Sequence, residues 1–245
     1  MPSPVLTIEA ISKRFGGVMA LDRVSVEVGA GSVCGLIGPN GSGKTTLLNV
    51  INGVFAPDRG AIRLGETAIV GRPASALAAV GLTRTFQSAR VFRTLTVSQN
   101  LMIPLLHSGR NARDDGARRA DELLALVALE AYADRPASEL SGGQQKLIEF
   151  ARAFVTRPRV VLMDEPFAGV HPEIKALLIR RIREAVEREG TSFLIVSHEV
   201  PDLVAISSFM LCLVGGKTVA AGPPGKVVRD TQVIEGYLGR RLDEA

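Results

Sequence analysis

A glycine-rich loop between an apolar run and a helix-forming segment constrains this chain more than any other feature of its sequence. The apolar run covers residues 32–37, the pattern of a strand buried on both faces of a parallel sheet. The loop has the spacing G-x-x-x-x-G-K-[ST], and residues 45–52 follow as a predicted helix that Gly53 ends. A buried strand that passes through such a loop into a helix predicts an α/β fold with a parallel sheet.

The composition of this loop is that of a phosphate-binding site. Its glycines let successive N–H groups point at one anion, and the following helix adds its positive N-terminal end. Lys44 would supply a full charge to the β and γ phosphates of a nucleotide, and the Thr45 hydroxyl would coordinate Mg²⁺. A glycine turn without a ligand is the alternative. The candidate nucleotide-binding residues of this segment are Gly38, Pro39, Asn40, Gly41, Ser42, Gly43, Lys44, Thr45 and Thr46.

Acidic and imidazole side chains follow two later apolar runs. Asp164 and Glu165 come directly after residues 160–163, so we expect both carboxylates at the carboxyl edge of the sheet, where α/β folds bind ligands. Asp164 would hold Mg²⁺ through water, and Glu165 would act as the base that polarises the attacking water. A helix N-cap is the alternative for this pair. His198 follows the run 193–196 at the same edge, where it would contact the γ-phosphate unless it is structural.

The run Ser141-Gly142-Gly143-Gln144 predicts a second anion-binding surface, just before an apparent helix over residues 145–156. Serine suits an N-cap, and its hydroxyl with the glycine N–H groups can hold an anion. An ordinary capped helix is the alternative, although two consecutive glycines are more permissive than a cap needs. Two phosphate-binding surfaces would be redundant within one chain. In a head-to-tail dimer, we therefore expect each chain to help bind the nucleotide of the other chain.

Taken together, these motifs resemble the ATP-binding cassette (ABC) family over almost the whole chain. The resemblance implies an ATPase that uses ATP and Mg²⁺, and it places the family's switch histidine at His198. It also implies a Q-loop glutamine at Gln87, whose amide would reach Mg²⁺ or the attacking water when the helical insertion rotates inward. Phe15 would stack on adenine, with a buried core phenylalanine as the alternative. His171 stands where the family often has Asp or Asn at the dimer seam, and neither His171 nor His107 is assigned a catalytic role.

The order of elements predicts one domain over residues 1–245 with the α/β fold of a P-loop NTPase. We expect a mostly parallel sheet, an N-terminal antiparallel β subdomain and an inserted helical subdomain. Residues 1–86 and 159–225 would form the core, residues 87–158 the helical insertion and residues 226–245 a C-terminal tail. The predicted elements outside the motifs are strands over 5–11, 21–28, 61–64 and 68–70, a helix over 172–189 ended by Gly190, a hairpin over 209–221, and an apolar stripe of Leu123, Leu124, Leu126, Val127 and Leu129.

Segments that flank the helical insertion and the C-terminus indicate to which group of cassettes the chain is similar. Residues 81–87, 91–101 and 233–239 look like those of the ATP-binding subunits of branched-chain (hydrophobic) amino-acid importers; relatives that move urea, short amides or lipopolysaccharide share much of this pattern. The resemblance implies transmembrane permease subunits, a second ATP-binding subunit (identical or paralogous) and, indirectly, an extracytoplasmic substrate-binding protein. A soluble cassette protein acting on ribosomes or DNA is the alternative, but such proteins usually carry two cassettes or a long coiled-coil insertion.

Charge and cysteine usage agree with this interpretation. The net charge is +4, from 29 basic and 25 acidic residues without a basic run, so we expect no nucleic-acid partner. We expect neither a signal peptide nor a membrane span of ~18 to 20 apolar residues. The chain is therefore predicted to be a peripheral protein on the cytoplasmic face of the inner (plasma) membrane. Cys34 and Cys212 lack metal-site spacing and should be buried thiols in a reducing compartment.

Overall fold

Ten strands lie within residues 3–106 and 110–239, the part of the chain that the computed structural model describes. They are β1 (Pro4–Phe15), β2 (Val18–Gly29), β3 (Val33–Ile37), β4 (Arg59–Leu64), β5 (Thr67–Ala68), β6 (Leu82–Arg84), β7 (Val160–Asp164), β8 (Ser192–Val196), β9 (Phe209–Val214) and β10 (Lys217–Gly222). The helices are α1 (Lys44–Ile51), α2 (Ala74–Ala79), α3 (Val97–Met102), α4 (Arg110–Leu126), α5 (Gly142–Phe154), α6 (Pro172–Glu189), α7 (Val200–Ile206), α8 (Pro224–Val227) and α9 (Thr231–Val233).

The strands form an antiparallel sheet and a mostly parallel one, as predicted. The antiparallel sheet has the order β2-β1-β4-β5, and the larger sheet has the order β10-β9-β3-β8-β7-β6. In the larger sheet β3 pairs in parallel with both β8 and β9, while β10 returns antiparallel to β9 as the predicted hairpin. The strand that carries the glycine-rich loop is therefore central, between strands that follow it by more than 150 residues.

One predicted strand is wrong: residues 68–70 do not form a strand, and β5 is only Thr67–Ala68. Beyond β5, the N–H of Ile69 still donates to the carbonyl of Ile62 in β4 at 3.0 Å, and the Ile69 side chain is buried, at 1% exposed. The chain then turns at Val70 and Gly71.

The larger sheet is covered on both faces. Along β7, Val160 and Leu162 pack in one hydrophobic cluster with α1 and the antiparallel sheet, whereas Val161 and Met163 pack in another with the helices that follow β6. This two-sided burial accounts for the apolar runs in the sequence. Both cysteines are buried and free, as predicted. Burial raises the pKa of Cys34 to about 12 and that of Cys212 to about 11.

Helices α3, α4 and α5 lie between β6 and β7 in the sequence. The predicted apolar stripe is buried in their common core, except that Leu126 is only partly buried. Helix α6 has the predicted bounds, and Gly190 ends it in a left-handed conformation with φ 66°. No helix in the described ranges combines the length and apolarity that crossing a bilayer requires.

The C-terminal segment returns to this core. After α9, residues Ile234–Leu238 form a π-helical turn, and Val227, Val233 and Tyr237 are buried in the same hydrophobic cluster as α5 and α6. The last part of the predicted tail, residues 240–245, and His107 lie outside the described residues.

Candidate functional site

Most residues predicted to bind phosphate or metal, or to act in catalysis, meet in a cleft at the carboxyl edge of β3, β7 and β8. The cleft has a volume of about 420 Å³. Its walls include residues 40–46 of the loop and α1, together with Gln87, Asp164, Glu165, His198 and residues 18–20 of β2. The fold thus brings together side chains that are separated by more than 100 residues in the sequence.

Glycine is required at both ends of the loop. Gly38 has φ 146°, and a Cβ there would lie 2.1 Å from the main-chain oxygen of Leu213. Gly43 has φ 102°, and a Cβ there would lie 2.5 Å from the main-chain oxygen of Ala20. A larger residue at either position would force the loop away from β9 or β2, so the glycines fix the path of the loop as well as its N–H directions.

The loop presents groups that fit an anion. Lys44 is 6% exposed, and its Nζ donates hydrogen bonds of 2.7 Å to the carbonyls of Gly38 and Pro39. Burial lowers the pKa of Lys44, while Glu165 and Asp164 oppose that shift. Ser42 Oγ is buried and has no hydrogen-bond partner within the described part of the chain. A buried ammonium, an unsatisfied hydroxyl and the start of α1 together suit a phosphate group.

Asp164 has a partner that the sequence motifs did not predict. Its Oδ2 lies 3.1 Å from Nη2 of Arg84, and the two side chains are only 6% and 3% exposed. Arg84 Nη1 also donates to Asn49 Oδ1 at 2.6 Å, so the guanidinium joins β7 to α1. Burial lowers the pKa of Arg84, and Asp164 opposes this. Arg84 is the fourth residue of the segment 81–87, but only the pairing of β6 with β7 reveals its partner.

The oxygens at this edge also suit a magnesium ion. Thr45, Gln87 and Asp164 all line the cleft, and hydroxyl, amide and carboxylate oxygens are the ligands that Mg²⁺ prefers. The residues present therefore fit the metal that the sequence predicts, and their assignment as its ligands stays a prediction.

Glu165 is held by the backbone that follows β8. The carboxylate is 4% exposed, and its Oε2 accepts a hydrogen bond of 3.0 Å from the main-chain N–H of His198. Its Oε1 lies 3.2 Å from His198 Nε2 but out of line with it, and no donor among the described residues is aligned with this atom. Burial raises the pKa of Glu165, and the His198 N–H opposes that shift. A buried carboxylate with a raised pKa and a free oxygen is suited to accept a proton.

The alternative role of this acidic pair as a helix cap is wrong. Helix α6 begins at Pro172, and its N-cap is His171, whose Nδ1 is 3.5 Å from the N–H of Glu173. Glu165 instead has φ 50°, a left-handed conformation that is uncommon for a residue with a side chain.

Lys146 is a second residue that the motifs did not single out. Its Nζ donates to the carbonyl of Ala168 and lies 3.4 Å from that of Glu165. The start of α5 is therefore linked to the turn that carries Glu165.

Helix α5 is also linked to the segment that carries Gln87. The buried carboxylate of Glu149 accepts a hydrogen bond of 3.1 Å from the N–H of Phe86, and burial raises the pKa of Glu149. Arg152 donates to the carbonyl of Arg90, whose guanidinium lies 3.9 Å from the centre of the Phe86 ring. Displacing α5 would consequently displace the backbone next to Gln87.

The Ser-Gly-Gly-Gln run lies away from the cleft of its own chain. The helix begins at Gly142, three residues before the predicted start, because Ser141 and Gln144 form a capping box that stabilises a first turn containing two glycines. The Ser141 N–H donates to Gln144 Oε1 at 2.9 Å, and the Gln144 N–H donates to Ser141 Oγ at 3.3 Å. Ser141 and Gly142 are exposed, and none of the four residues lines the cleft.

Phe15 is not a core residue, so that alternative is wrong. It is 41% exposed at the end of β1, with its ring edge-on to Phe55 at 5.1 Å. It does not line the cleft, although Val18, at the start of the next strand, does. Stacking of Phe15 on a base stays a prediction.

Comparisons with known proteins agree with this geometry. The family model described as "ABC transporter" matches residues 21–168. The chain is 35% identical to the high-affinity branched-chain amino acid transport ATP-binding protein LivG of Salmonella typhimurium, over 98% of this chain and 99% of that protein. It is 34% identical to the probable branched-chain amino acid transport ATP-binding protein LivG of Archaeoglobus fulgidus, over 98% and 97%.

Two solved structures of ATP-binding cassettes are also similar to this chain. The ADP conformation of MJ1267, an ATP-binding cassette of an ABC transporter, matches with a TM-score of 0.87 and 34% identity, over 96% of this chain and 99% of that chain. A nucleotide-free ATP-binding cassette from an ABC transporter matches with a TM-score of 0.85 and 32% identity, over 96% and 98%.

Proposed function

The chain belongs to the ATP-binding cassette (ABC) transporter family, as its motifs predict, and from this we propose that it is the ATP-hydrolysing subunit of an ABC importer. One observation carries the proposal: a single cleft is lined by the phosphate-binding loop with Lys44, by Asp164 and Glu165, and by Gln87 and His198. Binding groups and a candidate base thus face the same space.

Each part of the cleft has a distinct role in this proposal. Mg²⁺ would neutralise phosphate charge when bound, held by Thr45, Gln87 and Asp164. Lys44 and the N–H groups of the loop bind and orient the phosphates, and Ser42 offers a further hydroxyl. Glu165 Oε1 accepts the proton of the attacking water, and His198 lies beside that oxygen.

The exposed Ser-Gly-Gly-Gln run supports a composite site. Because Ser141–Gln144 lie outside the cleft of their own chain, we assign them to the nucleotide bound by a second ATP-binding subunit, identical or paralogous. The first turn of α5 would then approach the partner's nucleotide with its free N–H groups.

The names of the relatives support a proposal for the transported cargo and for the other partners. Because these names give branched-chain amino acid transport, we propose uptake of branched-chain or other hydrophobic amino acids rather than of urea, amides or lipopolysaccharide. We propose that permease subunits hold the protein at the cytoplasmic face of the inner membrane and that an extracytoplasmic binding protein delivers the cargo. The division into core (1–86 and 159–225), helical insertion (87–158) and tail (226–245) is part of the same proposal.

Mixing two inactive variants tests the composite site. Ser141→Arg blocks closure on the partner while leaving its own loop intact, and Lys44→Ala removes the charge that faces the phosphates. Each homodimer has two damaged sites, whereas the mixed dimer has one intact site and one site with both lesions. We expect ATPase activity to recover partly on mixing.

The control places the same bulky cation elsewhere. Ser75 is exposed in α2 and lies outside the cleft, so Ser75→Arg should hydrolyse ATP normally. Normal ATPase activity of Ser141→Arg alone would refute the composite site, and absence of ATPase activity in the wild-type protein would refute the proposed function.

A further inference from the structure

The C-terminal segment reaches the histidine at the cleft. Tyr237, in the turn that follows α9, is 4% exposed, and its Oη lies 3.3 Å from Nδ1 of His198. On the other edge of the same ring, Nε2 lies 3.2 Å from Oε1 of Glu165. A residue near the end of the chain therefore contacts the imidazole that faces the candidate base.

The contact bears on which ring nitrogen of His198 carries the proton. The His198 side chain is 32% exposed, so burial alone does not fix the ring. The two nitrogens of a neutral imidazole differ, and the hydrogen bond made by one of them decides which carries the proton. An ionised carboxylate only accepts hydrogen bonds, so the form that suits Glu165 has its proton on Nε2 and a lone pair on Nδ1.

We propose that Tyr237 is a positioning residue for ATP hydrolysis, whose hydroxyl donates to His198 Nδ1 and so keeps the proton of the neutral ring on Nε2, the nitrogen that lies 3.2 Å from Glu165 Oε1. The inference rests on the proposed function for its kinetic consequence, but the contact itself does not. It makes the C-terminal segment a part of the hydrolytic site.

A capping hydrogen bond and packing on the core hold the C-terminal segment in place. Asp230 caps α9 by accepting a hydrogen bond of 2.9 Å from the N–H of Gln232. Val233 is fully buried, and Gly236 lies beside Val214 of β9, where an added Cβ would be in ordinary contact at 3.4 Å from the Val214 side chain. The phenol of Tyr237 is thus held by packing on the central sheet, and a side chain already fixed by packing positions its neighbour at little entropic cost.

The substitution Tyr237→Phe removes only the hydroxyl. We expect kcat for ATP to fall about fivefold to tenfold, the factor that corresponds to one hydrogen bond, with KM for ATP unchanged because the phosphate-binding loop is untouched. The chain has one other tyrosine, Tyr132, which is half-buried beside Arg135 in the helical region. Tyr132→Phe makes the same chemical change there and should leave kcat unchanged.

A double variant separates positioning from a general structural effect. If Tyr237 acts through His198, adding Tyr237→Phe to His198→Gln should cost no further activity. Losses that multiply in the double variant, or a wild-type kcat in Tyr237→Phe, would overturn the proposal.

¹⁵N NMR shows directly which ring nitrogen of His198 carries the proton. The chain has three histidines, so the ¹⁵N signals of His198 can be assigned by their loss in His198→Gln. In the full-length wild-type protein we expect the neutral form with the proton on Nε2, and in Tyr237→Phe a mixture of both forms with the two nitrogen shifts moved toward each other. A proton on Nδ1 in the wild type, or identical spectra in both proteins, would refute the contact whether or not the protein hydrolyses ATP.

Discussion

Replacing Arg84 by methionine is expected to destabilise the protein strongly. The substitution keeps the length of the side chain and its packing against Phe86, whose ring centre is 4.9 Å from the guanidinium carbon. It removes the charge that faces Asp164 and the donor that faces Asn49. The buried carboxylate of Asp164 then loses its ion-pair partner, and the charge of Lys44 across the cleft is left to compensate it.

The magnitude follows from the burial of the pair. Both side chains are less than a tenth exposed, and removing one partner of a buried ion pair costs about 3–5 kcal/mol of unfolding free energy. For a chain of this size each kcal/mol lowers Tm by about 2–4 °C, so we expect a fall of roughly 6–20 °C. Adding Asp164→Asn removes the unpaired charge and should restore part of the loss.

Calorimetry and urea unfolding of the single and double variants measure these changes. The matched control is Arg118→Met, because Arg118 and Asp115 form an exposed pair at 3.5 Å with side chains 78% and 54% exposed. That change should alter the unfolding free energy by less than about 1 kcal/mol. If Arg84→Met unfolds at the wild-type temperature and urea concentration, the buried pair does not stabilise this edge of the sheet.

Three other outcomes are expected. Glu165→Gln should bind ATP but hydrolyse it about 10²- to 10⁴-fold more slowly, because its amide still accepts from the His198 N–H but takes no proton; wild-type turnover would contradict this. Because burial raises the pKa of Glu165, ionisation in the folded state costs stability, so Tm of the wild type should fall relative to Glu165→Gln as the pH rises through that pKa. Parallel Tm curves would argue against that cost. Thiol reagents at mildly alkaline pH should modify Cys34 and Cys212 only after unfolding, since their pKa values are about 12 and 11; labelling of the native protein would be inconsistent with their burial.

Local features of the fold could be predicted from the sequence. The glycine-rich loop lies between β3 and α1 because its strand, glycines and helix are contiguous, and α6 ends at Gly190 because a left-handed residue is needed there. The sequence predicts a start of α5 that is three residues too late, because two glycines argue against a helix unless the capping box of Ser141 and Gln144 is considered.

The features that were missed depend on contacts between distant segments. Arg84 meets Asp164 only because β6 pairs with β7, and Tyr237 meets His198 only because the C-terminal turn packs on the central sheet. Neither partner is marked by spacing in the sequence. The sequence does not predict the exposed position of Phe15 either, because an aromatic residue at the end of a strand suits the core and the surface equally.

The left-handed backbone at Glu165 has a consequence for how this protein can be improved. Such a conformation costs a residue with a side chain on the order of 1–3 kcal/mol, and glycine or asparagine would adopt it at lower cost. A library selected only for heat resistance would therefore enrich those residues at position 165 and accumulate well-folded proteins without turnover. Engineering of a thermostable variant has to screen for catalysis at every round, since here one gain in backbone stability removes the group that the reaction needs.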